Sequence, residues 1–203
     1  MKKIGLCGSS GSGKGYVAKK FLKYGIPTID TDLVYRETTT KKGTPCLDAL
    51  VKEFGTQILT ENGELDRKKL ATIVFEGDGA KARLERLDKI AHHYIKIDTD
   101  NLISKYKSEG KIAVIIDAPV LFESGFDKMC DFTVCVVAPY EMKLERIIKR
   151  DGITSEKAIA RLNNQLSDSE LKKLSTYSID NSNIELESQI ENILVNEKII
   201  TKE

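Results

Sequence analysis

The chain has 203 residues and a formal net charge of +1 at pH 7. This balance argues against a nucleic-acid partner, because domains that bind phosphate backbones usually carry a clear basic excess. No apolar run approaches membrane-spanning length, and the N-terminus "MKKIGLCGSS" lacks the anatomy of a signal peptide. We therefore expect an ordinary cytoplasmic enzyme-sized domain that needs neither a membrane nor an obligate protein partner.

The segment "GSSGSGKG" lies between the apolar run "KKIGLC" and the helical pattern "GYVAKKFLKYG". It fits the phosphate-loop pattern G-x-x-x-x-G-K-[ST] except at the last position, where Gly15 replaces the hydroxyl residue that usually contacts magnesium. Such a loop directs backbone N–H groups at an anion from a helix N-terminus, and Lys14 adds a positive charge for the β and γ phosphates. The pattern predicts nucleotide binding by Gly8, Gly11, Ser12, Gly13, Lys14, Gly15 and Tyr16.

Apolar β-type runs alternate with helical patterns along the chain, which is typical of a parallel sheet with helices on both faces. The predicted strands are "KIGLC", "PTIDTD", "IAVIIDAP", "FTVCVVA" and "YSIDN". The helix after the first strand is expected to bury Val17, Phe21 and Leu22 on one face. Ligands of such sheets bind beyond the carboxyl ends of the strands. One rim is therefore expected to carry the phosphate loop with Asp30, Asp32, Asp117 and Glu123.

Two stretches do not fit this core and are predicted to be helical insertions in one domain. Residues 44–107 contain amphipathic segments and are interpreted as a cap that binds the acceptor. Residues 141–170 are polar and rich in arginine, and they are interpreted as a lid over the nucleotide. The core is then expected to comprise about 1–43, 108–140 and 171–203.

Three carboxylates close predicted strands. Asp30 and Asp32 in "TIDTD" point to the same side if the strand continues through both. A carboxylate there would accept the proton of an acceptor hydroxyl during phosphoryl transfer, whereas the alternative is a helix cap, for which Asp32 is also suitable. We favour the catalytic role for Asp32 and the structural role for Asp30. Asp117 is predicted to hold Mg²⁺ directly or through water, the alternative being a turn acid before Pro119.

Arg146 and Arg150 are four residues apart and so share a helix face. They would meet the charge that develops on the transferred phosphoryl group, whereas a solvated charged face is the alternative. The histidines His92 and His93 have no Cys or His partner at metal-site spacing, so no zinc site is predicted.

Four cysteines are present. Cys7 and Cys135 lie in strand-like runs and are interpreted as buried apolar residues, while Cys46 and Cys130 stand alone. Their spacing predicts neither zinc binding nor a disulfide framework, so we expect four reduced thiols.

These motifs together resemble the dephospho-coenzyme A kinase family along nearly the whole chain. After the phosphate loop, "IDTDLVYR" resembles that family's D-A-D-x-x-x-R, and "IAHHYI" resembles its H-P-x-[IV] element. The blocks "APVLFESG", "LERIIKRDGITSEKAIARLNNQ" and "YSIDNS" follow in the family's order and at its spacings. The resemblance implies a P-loop NTPase-type α/β fold. It also implies transfer of the ATP γ-phosphate, with Mg²⁺, to the ribose 3′-hydroxyl of dephospho-coenzyme A, the last step of coenzyme A synthesis.

The resemblance also implies residue roles. Asp32 would be the base at the acceptor hydroxyl, Lys14 the phosphate clamp, and Arg146 and Arg150 the lid arginines. Asn181 matches a position near the adenine end of ATP. Acceptor binding is assigned to Arg36, His92, Leu121, Phe122, Glu123 and, in the arginine-rich block, Arg161.

Some positions depart from the family pattern and keep alternatives open. Gly15 and Tyr16 stand where the family has Ser or Thr, and His93 stands where it has proline. The Gly-Lys-Gly sequence and "DTDLVYR" are similar to nucleoside monophosphate kinases such as the cytidylate enzyme, which is the alternative activity, although "APVLFESG" has no match there. A nucleotide-binding regulator without turnover is a further alternative, against which the predicted base and lid arginines argue.

Overall fold

The structure, a computed structural model, describes residues 1–182 and 185–201. Within these residues, five strands form one sheet in the order β2-β3-β1-β4-β5. β1 runs parallel to β3 and to β4, and β4 runs parallel to β5. Each predicted strand is present and the predicted fold class is confirmed. The strands are β1 (Lys2–Cys7), β2 (Thr28–Asp30), β3 (Ala113–Asp117), β4 (Phe132–Val137) and β5 (Tyr177–Asp180).

The α-helices of the described chain alternate with these strands or cluster in the two predicted insertions. Short 3₁₀ turns cover Leu22–Tyr24, Thr56–Ile58 and Asp127–Met129, and a π-helical turn covers Tyr35–Thr39. The α-helices are α1 (Lys14–Phe21), α2 (Thr31–Val34), α3 (Pro45–Phe54), α4 (Arg67–Phe75), α5 (Ala80–Ser108), α6 (Tyr140–Asp151), α7 (Ser155–Asn163), α8 (Asp168–Leu174) and α9 (Leu186–Asn196).

Local sequence signals explain where several helices begin. The Thr44 hydroxyl accepts a hydrogen bond from Leu47 N at 3.3 Å, and proline follows it at the first position of α3. The Asp66 carboxylate accepts hydrogen bonds from the backbone amides of Lys68 and Lys69 in the first turn of α4. Ser167 and Glu170 form a reciprocal capping box at the start of α8.

Backbone contacts divide the chain into two compact units. Unit 1 comprises Met1–Ile29 and the chain from Tyr106 onward, and unit 2 comprises Asp30–Lys105. Unit 1 has a core in which both faces of β3 and β4 are covered, which explains their nearly continuous apolar sequences. Unit 2 has a separate core from α3 and α4, against which apolar side chains of α5 pack. The boundaries of the predicted core, cap and lid remain predictions.

Two local predictions are wrong, those for the end of the second strand and for Leu22. The second strand ends at Asp30 and Thr31 begins α2, so Asp30 and Asp32 are not alternate residues of one strand. The structural role favoured for Asp30 is confirmed: it is the N-cap of that helix, because its carboxylate accepts a hydrogen bond from Leu33 N at 3.0 Å. Leu22 is 61% exposed, because α1 ends at Phe21 and Ala18 takes the place beside Val17 on the buried face.

Candidate active site

The phosphate loop connects the end of β1 to the start of α1, as its sequence predicts. Gly11 and Gly13 adopt φ of 77° and 85°, in the left-handed region that favours glycine. A Cβ on Gly11 would collide with the backbone of Lys143, and a Cβ on Gly13 would collide with Nδ2 of Asn181. Both glycines are thus required by backbone conformation and by close neighbours. The loop also places α1, with its N-terminal partial positive charge, directly after Gly13.

Two side chains hold the loop backbone from the side of α6 and β5. Asn181, which follows β5 and is 9% exposed, donates from Nδ2 to the Ser12 carbonyl at 2.8 Å. Arg146 of α6 donates from Nη1 to the carbonyls of Gly11 at 3.1 Å and Ser12 at 3.3 Å. These bonds satisfy the carbonyl oxygens of Gly11 and Ser12 and hold the loop backbone in place.

A polar network connects the loop to α6 and α8. Lys143 is buried, and its ammonium donates to the Asp168 carboxylate at 2.8 Å and to the Ser9 hydroxyl at 3.2 Å. The Ser9 hydroxyl also donates to Asp168 at 3.1 Å, and the Ser10 amide donates to Gln165 Oε1 at 2.9 Å. Because a buried charge is tolerated only when it is paired and hydrogen-bonded, this arrangement fixes α6, α8 and the loop together.

Lys14 and Asp117 lie beside each other at the carboxyl edge of the sheet. Asp117 ends β3 and is paired in register with Leu6 of β1, two residues before the loop begins. The Lys14 ammonium lies 2.5 Å from Asp117 Oδ1, and both side chains are mostly shielded from solvent. The structure therefore brings together the lysine and the carboxylate that the sequence predicts for the phosphate and metal end of the site.

Gly15 occupies an ordinary position in the first turn of α1. Its φ lies outside the left-handed region, and a Cβ built there would meet no atom within 4 Å outside its chain neighbours and the backbone of its own helix. The side chain of Tyr16 is 55% exposed, with the Lys20 ammonium 5.3 Å from its ring centroid. Neither backbone geometry nor the space around this position requires glycine.

Arg150 and Arg161 share the carboxylate of Asp151. Arg150 donates from Nε and Nη2 to Asp151 at 2.7 and 2.9 Å, and Arg161 of α7 forms a second ion pair with the same residue. Hydrogen bonds from Arg150, and then from Arg161, lower the pKa of Asp151 to about 2. Arg146 and Arg150 thus lie on one helix, but only Arg146 contacts the phosphate loop.

Unit 2 carries Asp32, Arg36 and His92. Asp32 is exposed in the first turn of α2, and Arg36 is exposed in the π-helical turn that follows. His92 is half-buried in α5, and burial lowers the pKa of its imidazole, while His93 is exposed and makes an edge contact with Tyr94.

The segment "PVLFES" forms a turn after β3 in unit 1. Leu121 is 1% exposed, and a Cβ on Gly5 of β1 would lie 3.0 Å from its Cδ2, so Leu121 packs on the sheet. Phe122 is half-buried and Glu123 is exposed. Of the three residues in this segment that the resemblance assigns to the acceptor, Phe122 and Glu123 present accessible surface.

No three His, Cys, Asp or Glu side chains within 1–182 and 185–201 are grouped closely enough to hold a metal ion by themselves. No helix in that part of the chain is long and apolar enough to cross a membrane.

The sequence motifs do not indicate Lys143 or Asp168 as site residues, and they predict no role for Gln165. A signal for Lys143 was present, because it lies four residues before Ile147 on the buried face of α6, where a lysine requires an acidic partner. Asp168 could not be identified as that partner, since it is 25 residues away in sequence.

Comparisons with known proteins agree with one another. A family model described as dephospho-CoA kinase matches residues 2–187. A dephospho-CoA kinase of Bacillus cereus is 37% identical over 97% of this chain and 98% of its own. One from Fusobacterium nucleatum is 40% identical over 90% of this chain and 91% of its own.

Solved structures extend the similarity to the fold. A protein from Thermus thermophilus aligns with a TM-score of 0.78 and 26% identity over 97% of both chains. Dephospho-CoA kinase from Campylobacter jejuni aligns with a TM-score of 0.65 and 26% identity over 97% of this chain and 96% of its own. Shikimate kinase from Acinetobacter baumannii shares the fold, with a TM-score of 0.52 at 16% identity over 98% of this chain and 93% of its own.

Proposed function

The chain belongs to the dephospho-CoA kinase family, and we propose that it transfers the γ-phosphate of ATP to the ribose 3′-hydroxyl of dephospho-coenzyme A. The observation that carries this proposal is the family match over residues 2–187. The matched range includes the phosphate loop, Asp32 and Asp117. The products are coenzyme A and ADP, so the reaction completes coenzyme A synthesis. A cytoplasmic location remains a prediction.

Phosphoryl transfer requires positioning and charge stabilisation more than covalent chemistry. In the proposed mechanism the loop N–H groups bind the phosphates, and Lys14 neutralises the charge that accumulates on them as the γ-phosphoryl group moves. Asp32 accepts the proton of the 3′-hydroxyl as its oxygen attacks phosphorus. Its exposure in a first helical turn supports this role, because its neighbour Asp30 already supplies the helix cap.

Arg146 and Arg150 are proposed to act from the lid, although their positions differ. The contacts of Arg146 with two loop carbonyls support a role in holding the phosphate loop. The Arg150 side chain is 61% exposed, and it would leave Asp151 in order to reach the transferred group. Asn181 supports the same loop through Ser12, and we propose that its position near the nucleotide follows from that contact.

The residues present fit a magnesium ion held mainly by substrate. Asp117 supplies a carboxylate at the phosphate end of the site, and Mg²⁺ characteristically uses one or two carboxylates together with phosphate oxygens and waters. Asp117 would hold the ion through water, beside Lys14. When bound, the ion would neutralise charge on the β and γ phosphates.

A purified-enzyme screen tests the proposed function. ATP and magnesium are supplied with dephospho-coenzyme A, CMP, AMP or no acceptor, and the position of the new phosphate is read by phosphorus NMR. We expect phosphate on the 3′-hydroxyl of dephospho-coenzyme A. Preferred phosphorylation of CMP or AMP would instead support a monophosphate kinase, and nucleotide binding without transfer to any acceptor would support a regulator.

A further inference from the structure

A cleft of about 370 Å³ lies within unit 2, on the helical segment that follows Asp32. Its walls come from residues 36–42 and 64–67. A volume of this size is at the lower end of the range for small-molecule sites. Of its lining residues, only Arg36 has been assigned a role above.

The cleft is positively charged. Its two carboxylates, Glu37 and Glu64, are outnumbered by four cationic residues, so the lining carries a net charge of about +2. Lys41 pairs with Glu37 at 3.2 Å across exposed surface, an interaction that solvent and salt weaken. Within the described residues, the side chain of Arg36 has no carboxylate partner. The cationic residues are Arg36, Lys41, Lys42 and Arg67.

Arg67 is held in place by groups that do not neutralise its charge. Its Nη2 donates to the Thr40 hydroxyl at 2.8 Å and to the Arg36 carbonyl at 3.3 Å. Its guanidinium carbon lies 5.1 Å from the ring centroid of Tyr35. The Thr40 hydroxyl in turn donates to the Tyr35 carbonyl at 2.7 Å. A guanidinium fixed in this way retains donors for a ligand and loses little conformational entropy on binding one.

The backbone of the cleft is wound irregularly. Thr40 N donates to the carbonyl of Tyr35 at 3.2 Å, which closes a π-helical turn. Such turns are uncommon and occur often at functional sites. The segment sets Arg36 four residues after Asp32, a separation of about 6 Å along a helix axis.

We propose that this cleft binds the diphosphate bridge of dephospho-coenzyme A, an inference that rests on the proposed function. The diphosphate bears the negative charge of that acceptor, with about one charge on each phosphate, and it matches a cleft lined by arginine and lysine. The reacting 3′-hydroxyl belongs to the same ribose that carries the diphosphate. Binding of the diphosphate beside Arg36 therefore places that hydroxyl about one helical turn away, near Asp32.

Charge substitutions of opposite sign test the proposal. The Michaelis constant for dephospho-coenzyme A is measured at saturating ATP for the full chain. We expect Lys41→Ala to raise it about threefold and Arg67→Ala about tenfold, with kcat within about twofold of the unmodified enzyme. Glu64→Gln should lower it about twofold, because it removes a negative charge from the lining. All three effects should shrink as ionic strength rises.

The matched control is Lys52→Ala, which removes an exposed lysine of α3 in the same unit but outside the cleft. It should leave both Michaelis constants unchanged. If Arg67→Ala does not fold, the variants at the exposed residues Lys41 and Glu64 still test the proposal. General damage to the protein would raise the Michaelis constant for dephospho-coenzyme A in both variants, whereas the proposal predicts a rise in Lys41→Ala and a fall in Glu64→Gln.

Turnover of dephospho-coenzyme A by the unmodified enzyme tests the proposed function separately. If the enzyme is active but Lys41→Ala and Glu64→Gln leave its Michaelis constant for this acceptor unchanged, the cleft assignment is wrong and the proposed function still holds. A change confined to the Michaelis constant for ATP would also overturn it, because the cleft would then bind the donor nucleotide.

Discussion

Gly15 is a single-residue departure from the usual phosphate loop, and the structure shows that a side chain would fit there. Its φ is outside the left-handed region, and a Cβ would enter open space. Magnesium accepts a water in place of a missing hydroxyl, so the ion should bind more weakly without being lost. The exposed side chain of Tyr16 does not depend on a small neighbour.

We therefore expect Gly15→Ser to lower the magnesium concentration needed for half-maximal rate by about threefold or more. Gly15→Ala is the matched control, because it adds the Cβ and favours the helix by about 0.5–1 kcal/mol without adding an oxygen. The measurement is a magnesium titration of the rate for the unmodified enzyme, Gly15→Ser and Gly15→Ala. An equal improvement in both variants would assign the effect to helix stability instead of metal binding.

Asp30 and Asp32 are two residues apart and have different surroundings. Asp30 is the helix cap, and asparagine caps a helix about as well as aspartate. Asp32 is exposed in the first turn of α2 and is our proposed base. We expect Asp32→Asn to reduce kcat by about a hundredfold or more, because an amide does not accept the proton.

Asp30→Asn is the paired variant and should have a much smaller effect on kcat. Asp30→Ala should lower the free energy of unfolding by about 1 kcal/mol through loss of the cap. Single-turnover kinetics and urea unfolding separate the two roles. If Asp30→Asn were the more damaging change to kcat, the two assignments would be reversed.

Among the elements, α6 has the greatest influence on the phosphate loop. Its backbone at Lys143 approaches Gly11, its Lys143 side chain pairs with Asp168 and Ser9, and its Arg146 side chain holds two loop carbonyls. Motion of this helix would therefore change the loop that binds the nucleotide. An element that the sequence suggests as a lid is also part of the support of the binding site.

Lys143→Met tests this connection. Loss of one partner leaves Asp168 without its cation in a partly buried place, so the free energy of unfolding should fall by about 1–3 kcal/mol. The Michaelis constant for ATP should rise about fivefold because Ser9 loses its support. Lys149→Met removes an exposed lysine from the same helix and is the control. An unchanged constant for ATP in a folded Lys143→Met enzyme would contradict the positioning role.

At the scale of the whole molecule, the two units have cores of unequal size. Among the described residues, sixteen buried apolar side chains form the main core of unit 1, whereas six form that of unit 2. Because apolar burial is the main favourable contribution to folding, unit 2 should open at a lower denaturant concentration. The cysteines report on both units, since Cys46 lies in unit 2 and the other three in unit 1.

Native-state alkylation measures this difference. Burial raises the pKa of Cys7 and Cys46 to about 11 and that of Cys130 to about 12, and it also raises the pKa of Cys135. Thiolates should therefore be scarce at neutral pH and labelling by iodoacetamide slow until a unit opens. We expect Cys46 to be labelled at a lower urea concentration than Cys7 and Cys135, as read by peptide mass spectrometry. Simultaneous labelling would mean that the units unfold together.

The sequence by itself determined the fold class, the phosphate loop and the family. These depend on local patterns: apolar runs for buried strands, glycines at positions of constrained backbone, and a lysine at the start of a helix. The strand ending at Asp117 was also readable, because a continuous apolar run stops there.

Only the tertiary structure decided which polar groups meet. It assigned the helix cap to Asp30, separated Arg150 from the loop that Arg146 contacts, paired Lys143 with Asp168, and grouped the cations around Arg67 into a cleft. Most of these contacts join residues that are far apart in the chain. The helix cap depends on the single residue at which β2 ends and α2 begins. Sequence periodicity describes which face of an element a residue occupies, but it contains no information on the group that lies opposite that face.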